Sequence, residues 1–107
     1  MIPCDNLLAI DCSTRMPRLA VSFGPDRLVR SEELMERSHG QVLTRKIAHL
    51  FESAGLRASD LHGLVVSTGP GSFTGLRIAL AAAKGMAVAL DIPLSGISLF
   101  DVAAYRL

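Results

Sequence analysis

Thr68-Gly69-Pro70-Gly71-Ser72-Phe73-Thr74-Gly75 follows an apolar run, Leu64-Val65-Val66-Ser67, and opens a long apolar stretch that ends at Leu90. A buried strand, a glycine-rich corner and a helix together form the unit from which α/β sheets are built. Gly69, Gly71 and Gly75 let the backbone turn sharply and let another group come close to it. Ser72 stands where a cap would accept an N–H from the helix's first turn, whose positive end faces the loop. Two readings stay open. The corner holds a phosphate or carboxylate through Gly69, Gly71, Ser72 and Thr74, or it is a tight packing corner. Its spacing matches neither the dinucleotide fingerprint nor the Walker loop, which requires Gly-Lys-Ser/Thr.

On the N-terminal side, Leu7 to Asp11 reads as a buried strand and Leu19 to Phe23 as a second. Gly24-Pro25-Asp26 turns the chain into Arg27 to Leu34, polar enough for a sheet edge. Ser38 with Gln41 is a capping box that opens a helix. Leu43, Ile47, Leu50, Phe51 and Ala54 keep helical spacing, and Gly55 stops it. The central strand covers Leu64 to Thr68, and the second helix runs from Ser72 to Leu90. Pro93 to Ile97 is a fifth strand, and Ser98 with Asp101 starts a last helix that has no stop signal. The order β-β-β-α-β-α-β-α predicts an α/β fold with a mixed five-stranded sheet, in one domain over residues 1–107. The chain reads as ending inside an element.

Of 107 residues, 50% are hydrophobic, enough for one real core. Eleven basic and ten acidic residues leave a formal charge of +1, which argues against a strong nucleic-acid-binding field. Arg15, Arg18, Arg27 and Arg30 fall on the first hairpins and read as solvated edge charge. Cys4 and Cys12 are too few for a disulfide framework or a zinc site and fit a reducing cytoplasm. The N-terminus lacks a signal-peptide pattern, and Ile78 to Leu90 is too short to span a bilayer, so no membrane is expected.

The second helix is apolar on too many sides. From Leu76 to Leu90 the main interruptions are Arg77 and Lys84, seven residues apart on one narrow stripe. A helix lying on a sheet needs a single apolar face. The surplus, much of it alanine and glycine, points to a partner protein or, as the alternative, to cover by neighbouring helices of the same domain.

Candidates for chemistry are few. Asp11, followed by Ser13 and Thr14, ends the first strand where a carboxylate could position a metal–phosphate, or where Asp and Ser merely satisfy a turn. His39, His49 and His62 make no metal-ligand spacing. Ser72 lacks the flanking glycines of a nucleophile elbow. No catalytic residue and no metal site is expected.

Three blocks together resemble the TsaB (YeaZ) family: Leu8-Ala9-Ile10-Asp11-Cys12-Ser13-Thr14, His39-Gly40-Gln41-Val42-Leu43, and Gly69-Pro70-Gly71-Ser72-Phe73-Thr74-Gly75-Leu76-Arg77. The resemblance implies the N-terminal domain of an actin-like, ribonuclease-H-like fold, with a second domain beyond it. It implies a non-catalytic scaffold that binds and activates the TsaD-like threonylcarbamoyltransferase of tRNA modification. ATP and metal would sit on that catalytic partner, and tRNA would be met only through the complex. A TsaE-like ATPase and a homodimer are further partners it implies. The catalytic relatives carry His-x-x-x-His after a strand like Pro93 to Ile97, where this chain has Leu99 and Ala103, which cannot ligate a metal. Residues carried to the partner interface are Leu76, Ile78, Ala79, Ala82, Gly85, Met86 and Ala89, with His39, Val42 and Leu43 from the first helix. Cys12 replaces the family's usual Thr, which weakens a nucleotide role for Asp11, Ser13 and Thr14. The alternatives are an actin-like ATPase or kinase built on Asp11, Thr14 and the glycine corner, and a peptidase.

Overall fold

Alternation sets the sheet. Leu8 and Ile10 of β1 (Leu7–Asp11) are buried, as are Leu19, Val21 and Phe23 of β2 (Arg18–Phe23), so each strand turns every second side chain to one core. A computed structural model describes residues 6–14, 16–24, 26–32 and 40–106. β2 pairs antiparallel with β1 and with β3 (Arg27–Glu32), while β4 (Gly63–Gly69) runs parallel to β1, and β5 (Leu94–Ser98) parallel to β4. The sheet order is β3-β2-β1-β4-β5. This is the mixed five-stranded sheet expected from the element order.

Helices α1 (Gly40–Ala54) and α2 (Phe73–Leu90) close the core side of the sheet. Leu43, Ile47, Leu50, Phe51 and Ala54 of α1 are buried, as their spacing predicted. Gly55 ends α1 with φ 72°, and the Leu56 N–H donates back to the Phe51 carbonyl at 2.9 Å. α3 (Leu99–Arg106) follows β5 directly and packs on β5 and β4. Its Leu99 and Val102 border a hollow of ≈ 380 Å³ over Ala9, Ala20 and Val65, on the sheet face away from α1 and α2.

Several expectations shift. β3 is described to Glu32 rather than Leu34, β5 starts at Leu94, and a short 3-10 turn at Ala58–Asp60 had no sequence signal strong enough to predict it. Pro25, Ser38 and His39 lie outside the described residues. α2 spans 18 residues, so by length and composition alone it could cross a membrane, contrary to the expectation of a segment too short. Its packing argues otherwise. Ala79 and Ala83 are fully buried in the core, and a bilayer span would have to withdraw both from the sheet.

Asn6 ties the far edge together. Its side-chain amide donates to the Asp60 carbonyl at 2.7 Å and accepts from the Gly24 N–H at 3.3 Å, while its own carbonyl accepts from His62 N–H at 2.8 Å. His62 Nδ1 in turn accepts from the Asn6 N–H at 3.4 Å. His62 is therefore held in a structural turn.

Candidate functional site

The glycine corner packs against the end of β1. A Cβ added at Gly75 would strike the Cys12 carbonyl, and one added at Gly71 would strike the Ser13 backbone. Gly69 has φ +97° and joins Pro70 through a cis peptide bond. The Ser72 N–H donates to the Ser13 carbonyl at 2.7 Å, which ties the two loops directly. Ser72 caps α2 as predicted, its Oγ accepting from the Gly75 N–H at 3.1 Å. Of the two readings of this corner, close packing is what the geometry displays.

The polar groups of the β1 turn serve one another. Asp11 Oδ1 accepts the Ser13 N–H at 3.0 Å, and Thr14 Oγ1 both accepts from the Met16 N–H (3.2 Å) and donates to its carbonyl (3.1 Å). Ser13 is 4% exposed and Cys12 1%. Burial, with a smaller contribution from the Asp11 carboxylate, pushes the Cys12 thiol up to about 11. Cys12 is therefore a neutral thiol at pH 7 rather than a nucleophile. Asp11 stands in register opposite Arg18. Among the described residues, no group of three or more His, Cys, Asp or Glu side chains could hold a metal ion. His49 is exposed on α1 and borders a shallow polar hollow with Ser31, Arg45 and Lys46.

The second feature is the outer side of α2. Gly75, Ala79 and Ala83 form its buried stripe, so the small residues serve approach to the chain's own core. Ile78, Ala82 and Met86 are half-buried against that core. Ala79 and Leu43, carried to the partner interface by resemblance, are wholly buried within this chain and unavailable to a partner. Leu76 leans over Gly69 and is half-buried, as is Val42. Gly85 and Ala89 are exposed.

What the fold leaves outside is Phe73 (72% exposed), Leu80 (38%) and Val88 (84%), together with Ala81, Arg77 and Lys84. Phe73, Leu80 and Val88 escaped the sequence reading, although a signal existed. Arg77 and Lys84 marked the solvent side of the helix, and these three residues share that side. Arg77 lies over the Phe73 ring at 5.3 Å from its centroid. Phe73, Thr74, Arg77, Ile78 and Ala81 line a shallow depression there. On α3, Leu99 and Ala103 stand four residues apart and so share a face, while Phe100 is 73% exposed.

Residues 32–107 match the family described as "TsaD: tRNA N6-adenosine threonylcarbamoyltransferase". The "tRNA threonylcarbamoyladenosine biosynthesis protein TsaB" of Escherichia coli (strain K12) is 33% identical over 94 residues, covering 87% of this chain and 40% of that protein. The structure of YeaZ from Pseudomonas aeruginosa superposes with a TM-score of 0.81 at 34% identity, over 88% of this chain and 44% of that one. Thermus thermophilus RuvC shares the fold alone, with a TM-score of 0.54 and 13% identity over 87% of this chain and 63% of that one. The chain spans less than half the length of the TsaB and YeaZ relatives it matches.

Proposed function

The chain belongs to the family of TsaB (YeaZ) and TsaD, and from that premise we propose that it is the docking part of a subunit that supports a TsaD-type threonylcarbamoyltransferase in tRNA modification. The observation that carries this reading is the row of Phe73, Leu80 and Val88, left in solvent on the side of α2 that the sheet and α1 do not cover. Apolar surface gathered on one helix face is what a partner helix covers. α2's neighbours on that side, Gly85 and Ala89, extend the contact with small residues.

The subunit itself performs no chemistry in this account. Asp11, Ser13 and Thr14 close their own turn, Cys12 is buried and protonated, and the glycine corner is filled by the β1 loop. Leu99 and Ala103 share one helical face where a His-x-x-x-His pair would ligate a metal, and neither has a donor atom. Nucleotide, metal and tRNA therefore belong to the partner and reach this protein only through the complex, in the cytoplasm.

A reconstituted transfer assay tests the division of labour. It uses the full-length protein, the TsaD-type subunit of the same organism and tRNA substrate. Asp11→Asn, which keeps an acceptor for the Ser13 N–H, is expected to leave the transfer rate within about twofold. A loss of about a hundredfold with the complex still assembled would place Asp11 in the chemistry and overturn the scaffold reading.

A further inference from the structure

We propose that the hollow between α1 and the β3 edge of the sheet grips the phosphate backbone of tRNA while the catalytic subunit holds it. The proposal rests on the tRNA-modification role argued above. Ser31 of β3 and Val42, Arg45, Lys46 and His49 of α1 line this hollow of ≈ 380 Å³. Val42, Lys46 and His49 recur at i, i+4 and i+7, and Arg45 adjoins them, so one flank of the helix carries all four. Arg45 and His49 are exposed, and Lys46 and Ser31 are half-buried. Among the described lining residues every polar side chain can donate a hydrogen bond, Arg45 and Lys46 are cations, and none is an acid. Glu52, the one acidic residue of α1, stands outside that lining.

Charge complementarity names the occupant. A phosphodiester chain offers what this lining lacks, negatively charged acceptor oxygens, and it asks for donors and cations without an apolar anchor. A protein partner seated here would need a buried aromatic or aliphatic anchor, and half-buried Val42 is the single apolar side chain among the described lining residues. The flank also looks away from α2. α1 packs over β2 and β3 while α2 packs over β4, β1 and β5, and β3 is the edge of the sheet. Arg27 prolongs the cationic edge. It is exposed, its guanidinium lies over the Phe23 ring, and it stands four residues from Ser31, so on the same face of β3. A formal charge of +1 gives the protein no long-range field for nucleic acid. The flank therefore adds contacts to a tRNA already held, where the local concentration of phosphate is high.

The test uses the full-length protein, the TsaD-type subunit of the same organism and its tRNA, with Arg45→Gln, Arg45→Glu and Arg45→Lys as variants. Arg45 is exposed, and circular dichroism verifies that each variant folds. In the transfer assay Arg45→Gln should raise KM for tRNA about fivefold and leave kcat within about twofold. Arg45→Glu should raise KM further, and Arg45→Lys should bring it back to within about twofold of wild type. Fluorescence anisotropy follows tRNA binding to the assembled complex. There Arg45→Gln should flatten the slope of log K against log salt by about one. A tRNA that is not a substrate should lose affinity by the same factor, because a backbone contact reads no sequence.

An unchanged KM and an unchanged salt slope in Arg45→Glu would overturn the proposal while leaving the docking role intact. So would a fall in kcat at unchanged KM. A weaker affinity between the two subunits in Arg45→Glu, with tRNA binding by the assembled complex unaltered, would make the hollow a protein contact and overturn it as well. A wild-type protein that supports no transfer at all would overturn the docking role itself, and this proposal with it.

Discussion

Gly75 shows how one missing side chain decides local geometry. With no Cβ, α2 can start against the Cys12 carbonyl, and the Ser72 N–H can reach the Ser13 carbonyl. Gly75→Ala should therefore destabilise the domain by about 1–3 kcal/mol, read as a lowered denaturation midpoint at unchanged slope. An unchanged midpoint would mean the corner is looser than its geometry. Cys12, on the other side of that contact, carries a raised pKa, about 11 against an ordinary 9.0. The folded chain holds the thiol proton more tightly than the unfolded one. The resulting stability is complete below pH 9 and is lost as pH climbs toward 11. In a Cys4→Ser background, Ellman's reagent at pH 8 should label native Cys12 slowly and the denatured chain at once. Equal rates would refute its burial. The sequence disclosed that something must approach these glycines, and it placed the Ser72 cap correctly. It could not name the approaching group, because Cys12 and Ser13 meet the corner only once β1 and β4 lie side by side.

At the scale of the element, α2 teaches most. Periodicity located the helix and its surplus of apolar residues but not which of its faces meets the sheet; of the α2 residues that the resemblance carried to the interface, Ala79 is buried in the chain's own core. Ala79 and Ala83 lie against the chain's own core, where small side chains let the helix approach closely. The cations Arg77 and Lys84 were the better guide, since a charged side chain on a sheet-packed helix points to water. A stability contrast follows from the corrected faces. Ala79→Leu should overpack the core and cost about 1–3 kcal/mol, whereas Val88→Glu, 84% exposed, should cost well under 1 kcal/mol. Gly85 has nothing within 4 Å of where a Cβ would stand. Gly85→Ala should accordingly stabilise the isolated protein by about 0.5–1 kcal/mol through helix propensity. Thermal melts compare the three variants directly, and a destabilised Gly85→Ala would show a contact at that position within the chain.

For the whole molecule, the element order, a mixed five-stranded sheet and the core of α1 were legible because alternation, helical spacing and turn residues all pointed to one sheet; the strand order β3-β2-β1-β4-β5 came from the structure. The resemblance to the TsaB family was read from three short blocks whose order and spacing cover almost the whole chain, and the structural likeness to YeaZ likewise covers 88% of it. The hollow on the second sheet face was not legible, since Ala9, Ala20 and Val65 become neighbours only through pairing across β2, β1 and β4. The central claim is that α2's outer face docks a TsaD-type subunit. The most direct measurement is the molar mass, by light scattering on a sizing column, of the full-length protein mixed with that subunit, for wild type and for Val88→Glu. The account predicts a one-to-one complex with wild type and separate components with a folded Val88→Glu. A complex of unchanged mass and stability with Val88→Glu, or two separate species with wild type, would contradict it.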